Sequence, residues 1–216
     1  MIYFGVNLKK SKFGFSLTRE NYIHPSKKSS FKNIEYDDKY TSTQIRRALF
    51  NFDLNMKFFS CLDSNEFNHT LQKFLQQHPQ FVEVKDLNEY RYKTGYYILV
   101  LDKYKQIYIG TTNNICGRIR DHWTKTKQFD RLIFGSIFTS RLSIDSFRPL
   151  DTTRIFVYPT EKIFKMKIIL YLLFLTNSSS TEQREVCLIL VCLRRYQIES
   201  IEILLTHKKT IVYVKN

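Results

Sequence analysis

The chain has 216 residues, enough for one good-sized domain or two small ones. At 43% hydrophobic it can bury a core, which excludes an intrinsically disordered polymer. Its formal net charge of +14 and pI near 9.6 point to a polyanionic partner, with nucleic acid the natural one.

The four cysteines, Cys61, Cys116, Cys187 and Cys192, show no CxxC spacing and have no histidines placed to complete a zinc set. Reduced and mostly buried thiols in a cytoplasmic protein are expected. The opening MIYFGVNLKK lacks the charged-then-apolar layout of a secretory signal. No apolar run reaches the roughly 18 residues that suggest a membrane span, so no membrane partner is expected.

Met1 to Leu8 and Lys12 to Leu17 read as the two short strands of a hairpin. His24 to Lys32 is polar and basic, a loop. Thr41 to Phe52 reads as a helix capped by Ser42 or Thr43, with Arg46 and Arg47 on a solvated face or against phosphates. A second helix is capped by Asp63 or Ser64. It carries Phe67, Leu71, Phe74 and Leu75 at helical spacing and stops before Pro79.

Thr94 to His122 carries the clearest pattern, strand, turn, strand, helix. Gly95 to Leu101 is aromatic and β-branched, and Gln106 to Gly110 alternates Ile107, Tyr108 and Ile109. Thr111 to Asn114 can cap a helix on which Arg118 and His122, four residues apart, share a face. A further helix is expected over Asp130 to Phe138, a loop over Arg141 to Asp151, and a third strand over Arg154 to Tyr158.

Gly95-Tyr96-Tyr97, Tyr108-Ile109-Gly110, Arg118 and His122, in this order, resemble the GIY-YIG nuclease domain. Tyr96 stands where that family usually has Ile. The resemblance covers roughly Tyr92 to Tyr158. It implies an α/β (α+β) fold, a small antiparallel three-stranded sheet flanked by helices. A mainly helical N-terminal region (1–92) precedes the nuclease-like domain (93–160), and an atypical apolar tail (161–216) follows it.

The resemblance also implies metal-dependent hydrolysis of nucleic-acid phosphodiesters, with DNA the expected polymer and a repair-type endonuclease the expected class. Tyr97, Tyr108, Arg118 and His122 would be catalytic. The tyrosines would face the scissile phosphate, Arg118 would hold it with its planar fork, and His122 would share proton transfer. Gly110, Arg120 and Lys125 would contact substrate. Mg²⁺ or Mn²⁺ would be the cofactor. The alternative is a nucleic-acid-binding module of the same fold without hydrolysis.

The family's metal-binding Glu belongs on a helix after the third strand. Here the chain reads KIFKMKIILYLLFL instead, and Glu161 is the nearest substitute. The genetic code offers an explanation. Met is ATG and Lys is AAA or AAG, so Met166-Lys167 read one base earlier in phase must give GAA, a Glu codon. In the same phase Thr181 to Val186 permits Asn-Arg-Thr-Ala-Gly-Gly. The reading is that an ancestral metal Glu lay at Met166/Lys167 and was lost by a frame change near Lys165.

Overall fold

The computed structural model describes residues 1–9, 13–30 and 34–161, and the backbone of Ile203–Thr206 and Lys209–Val212. The proposed frame change at Lys165 to Lys167 lies outside the described residues.

The N-terminal hairpin is tighter than expected. Strands β1 (Ile2–Tyr3) and β2 (Val6–Asn7) pair within the first eight residues, Tyr3 opposite Val6. Phe4 and Gly5 both take positive φ, 46° and 70°. That is the left-handed geometry of a two-residue hairpin turn, whose twist matches the strands. The turn docks on the segment leading into the strand that begins at Gly95, where Leu87 N donates to the Phe4 carbonyl at 2.9 Å. Residues 13–17 form no strand.

Helix α1 runs Asp38–Cys61, beginning earlier and ending later than the sequence suggests. Its cap is Asp37, whose carboxylate accepts from Tyr40 N at 2.6 Å. The apolar pattern falters because the inward face carries polar residues. Gln44, Asn51 and Asn55 are buried and bonded to Phe129 O and Ser140 O, while Ala48, Phe52 and Phe59 supply the apolar contacts. Helix α2 (Ser64–Gln77) matches its pattern: Asp63 caps it, and Phe67, Leu71 and Phe74 are buried.

The main sheet has four strands where three were expected, in the order β3-β6-β4-β5 and antiparallel throughout. The addition is β3 (Val82–Glu83), two residues too short to show a period, paired with Val157 and Phe156. β4 (Gly95–Leu101) is central and buried along its whole length. β5 (Gln106–Thr112) pairs it on one side, with Lys105 in left-handed geometry (φ 50°) at the turn.

Helix α3 (Ile115–Thr124) follows. The Asn114 side-chain oxygen caps it by accepting from Gly117 N at 3.0 Å. The same oxygen accepts from Tyr92 N at 3.1 Å, just before β4. Tyr92 sits at φ 61°, rare for a bulky residue, and is 80% exposed.

The helix expected over Asp130 to Phe138 does not form. A 3-10 turn over Phe129–Arg131 gives way to irregular chain. Gly135 turns the backbone at φ 76°, and hydroxyls take the amides a helix would use: Phe134 N donates to Ser140 Oγ at 2.8 Å. Two further 3-10 turns, Ile144–Ser146 and Pro149–Asp151, lead into β6 (Arg154–Pro159). Ile203–Thr206 (β7) and Lys209–Val212 (β8) pair antiparallel.

A single cluster of buried side chains runs from Val6 through Phe52, Phe74 and the sheet to Val157. Within it the Asp151 carboxylate is a polar hub. Leu17 N (2.8 Å), Arg148 N (2.7 Å) and the Tyr104 hydroxyl (3.0 Å) all donate to it. Three distant stretches of chain are thereby held at one point. Burial still pushes its pKa up against those bonds. The two described thiols divide: Cys116 is buried, while Cys61, at the end of α1, is exposed, and Cys187 and Cys192 lie outside the described residues. Among the described residues no helix is long and apolar enough to cross a membrane.

Candidate functional site

Strands β4 and β5 place Tyr97 directly opposite Gly110. The phenol lies over the glycine: a Cβ on Gly110 would stand 2.1 Å from Tyr97 Cζ. Gly95 is tight for a similar reason, since a Cβ there would stand 2.3 Å from the Tyr158 carbonyl oxygen. Each glycine thus opens space where strand neighbours approach closely.

α3 packs beside this pair and brings His122 to Tyr97. The phenol Oη lies 2.9 Å from His122 Nε2. Tyr108 completes an aromatic trio, its ring edge-on to the imidazole with centroids 5.0 Å apart. Tyr97, Tyr108 and His122 are all at most 2% exposed. Arg118, one helical turn before His122, is half-buried and acts on both phenols and on Asp145.

His122 is bonded on its other side too. Nδ1 lies 2.7 Å from Asp145 Oδ1, whose side chain is 24% exposed. A carboxylate can only accept, so Nδ1 carries the hydrogen. A neutral ring then offers Nε2 as an acceptor, and the Tyr97 hydroxyl donates to it. Tyr97, His122 and Asp145 form a directed chain of hydrogen bonds.

The electrostatics agree with that direction. Burial pushes the Tyr97 phenol well above its ordinary range, the neighbouring Tyr108 adds to this, and Arg118 opposes it. Tyr97 is therefore protonated at neutral pH. Burial lowers the His122 pKa, the Asp145 bond and charge oppose that, and Arg118 supports it. The imidazole is therefore neutral at pH 7. Burial alone would raise the Asp145 carboxyl, but His122, Arg118 and Lys127 outweigh it and hold it below the usual carboxylate range. Burial works against the Arg118 charge, yet the phenols and Asp145 keep its pKa above the ordinary value.

The sequence motif thus comes together at Tyr97, Tyr108, Gly110, Arg118 and His122. Arg120 and Lys125 lie apart from it. Arg120, exposed, lines a cavity of about 140 Å³ with Val6, Phe15, Trp123 and Pro149. Lys125 pairs with Asp121 at 2.6 Å on the outer face of α3. Glu161 is exposed just past β6.

Among the described residues no group of three or more His, Cys, Asp or Glu could hold a metal ion. Asp145, the carboxylate bonded to the motif, is committed to His122. A lone exposed Glu161 does not make a site for Mg²⁺ or Mn²⁺, so the described residues do not fit the expected cofactor.

Asp145 is the residue that sequence reasoning misses. It lies 23 positions from His122, in a stretch of 3-10 turns with no periodic signal. Only the fold brings it to the ring, with Ser143 Oγ accepting from its backbone N–H at 3.3 Å.

No protein-family description, curated protein or solved structure matches this chain.

Proposed function

We propose that the chain is a nuclease of the GIY-YIG type acting on nucleic-acid phosphodiesters, DNA in the first instance. The observation that carries this reading is the convergence of Arg118 with the Tyr97–His122–Asp145 chain at the strand pair bearing both tyrosine motifs.

A phosphodiester resists attack because its charge repels nucleophiles and charge builds further on its oxygens as the nucleophile adds. Arg118 meets that charge with a fork of donors matched to phosphate oxygens. Attack by water also requires a proton acceptor. In this reading water passes a proton to Tyr97 Oη as the phenol hands its own to His122 Nε2. Asp145 holds the imidazole in the tautomer that can receive it and steadies the imidazolium that results. The oxygen of the attacking water bonds to phosphorus, and the bond to the leaving sugar oxygen breaks. Because Tyr97 touches no solvent, phosphate docking on half-buried Arg118 must open the space in front of it.

The test is nicking of supercoiled plasmid in Mg²⁺, Mn²⁺ or EDTA by the wild-type chain and by Arg118→Ala. Cleavage by the wild type that falls at least 100-fold in the variant supports the reading. Equal cleavage by both, or none by either, overturns it. A second reading, binding without hydrolysis, is favoured by the lack of a metal-holding carboxylate set among the described residues. It predicts salt-sensitive DNA binding with no nicking in any metal.

A further inference from the structure

Away from the tyrosine motif, the stretch from Lys127 to Ser140 holds aromatic rings outward. Phe138 is 76% exposed and Phe134 48%. Phe138 stands edge-on to Phe50 of α1, itself 46% exposed, with centroids 6.0 Å apart. Single exposed apolar residues are ordinary, but three rings held out by one loop and the helix beneath it are not.

The loop is fixed in place. Asn51 and Asn55, both buried, donate to the Ser140 carbonyl at 3.2 and 3.0 Å. The buried Ser140 hydroxyl accepts from Phe134 N at 2.8 Å. Two core positions of a long helix are thus given to amides that clamp a loop, while Phe134 and Phe138 of that loop stay exposed and only Phe129 enters the core. A fold driven only by apolar burial would do the reverse.

Cations accompany the rings. Lys127 Nζ sits 4.7 Å from the centre of the Phe134 ring. Arg46 and Arg47, both exposed, precede Phe50 by one helical turn, on its side of α1. Lys127 also contributes to holding the Asp145 carboxyl below its usual range, though less than His122 and Arg118 do.

We propose that this strip of rings and cations, running from Lys127 over Phe134 and Phe138 to Phe50 and Arg46/Arg47, binds single-stranded nucleic acid. Bases stack on the phenylalanines while the cations follow the phosphates. Exposed rings accept any unpaired base face, whereas duplex bases are stacked on each other and unavailable. The chemistry therefore selects an unpaired strand over a duplex. The proposal extends the nuclease reading by giving the site a substrate with a single-stranded arm, but the binding it describes does not require cleavage.

The test measures binding of fluorescein-labelled dT20, and of a duplex of equal length, by fluorescence anisotropy. The proteins are the full chain, Phe138→Ala, the pair Phe50→Ala/Phe138→Ala, and Phe138→Trp. All are surface changes, and circular dichroism checks the fold. The wild type should bind dT20 more tightly than duplex. Each ring lost should weaken dT20 binding about tenfold, and Phe138→Trp should retain it. The slope of affinity against salt should hold steady in the ring variants and fall in Arg46→Ala/Arg47→Ala.

The ring variants, all outside the proposed catalytic site, separate the two readings. If they lose dT20 affinity whether or not the wild type nicks plasmid, the strip stands independently of catalysis. Wild-type nicking together with unchanged dT20 binding in the double ring variant would overturn the strip and leave the nuclease reading intact. So would a double variant that shifts only a dimer to a monomer in sedimentation, which would make the rings an interface between copies of the chain.

Discussion

Tyr97 and Gly110 face each other across the β4–β5 ladder, and the phenol fills the volume a side chain at position 110 would need. The tyrosine of one motif and the glycine of the other are thus two halves of one packing solution. Gly110→Ala must drive the ring off its bond to His122 or push the strands apart. A loss of about 1–3 kcal/mol in urea unfolding is expected. The expectation fails if the variant is as stable as the wild type and keeps its Tyr97 hydroxyl signal.

Asp145→Asn tests the tautomer. An asparagine amide can turn its N–H toward Nδ1, which moves the ring hydrogen to Nε2 and removes the acceptor for Tyr97. Nitrogen-15 spectra of His122 should show Nδ1 protonated in the wild type and Nε2 protonated in the variant. Any nicking activity should fall about 100-fold, with KM little changed. Asp145→Glu should recover part of it. A purely structural Asp145 would lower stability while leaving the tautomer alone.

Stability should depend on pH through the same ring. A folded His122 with a lowered pKa binds its proton less tightly than the unfolded chain does. Its contribution is complete above the unfolded value, near 6.5, and is lost as the pH falls toward the folded one. Asp145, also lowered, acts in the same direction below about pH 4. Arg118, Asp121, Tyr97 and Tyr108 face the ring, and Arg118 and Tyr97 hold their charge state over this range. The unfolding free energy should therefore decline from pH 7 to pH 5. His122→Gln should flatten part of that decline, leaving the part due to His78, whose pKa burial also lowers. Identical pH profiles for the two proteins would contradict this.

Asp151 makes the opposite case. Burial raises its pKa, so the folded state would rather hold it uncharged. Asp151→Asn keeps an oxygen for Leu17 N and Arg148 N, and the Tyr104 hydroxyl can turn to accept instead. Little loss of stability at pH 7 is expected. Asp151→Ala strands three donors and should cost about 3 kcal/mol or more by denaturant unfolding.

Where one principle decides an element, the sequence suffices. β4, β5, β6 and α2 follow from period and caps, and the partners of Tyr97 follow from motif order. Where packing outweighs local preference, it does not. α1 carries buried Gln44, Asn51 and Asn55, so its apolar stripe understates its length. β3 exists only because β6 leaves an edge to pair. In place of the expected helix after α3, the Ser140 hydroxyl takes the Phe134 amide and the Ser140 carbonyl is held by Asn51 and Asn55 of α1, a contact only the tertiary fold supplies. Asp145 belongs to this second group, because a contact made across 23 residues through a 3-10 turn has no periodic signature.

One oxygen of Asn114 serves both Tyr92, ahead of β4, and Gly117, inside α3. The segment delivering Tyr97 and the helix delivering Arg118 and His122 are therefore fastened by a shared latch and should open as one event. In deuterium, the amides of Tyr92 and Gly117 should exchange with equal protection. Asn114→Ala should speed both together, whereas Asn114→Asp should leave them matched. Motion that loosens the strand side of the Tyr97–His122 pair must then loosen the helix side, and its members arrive or depart in concert.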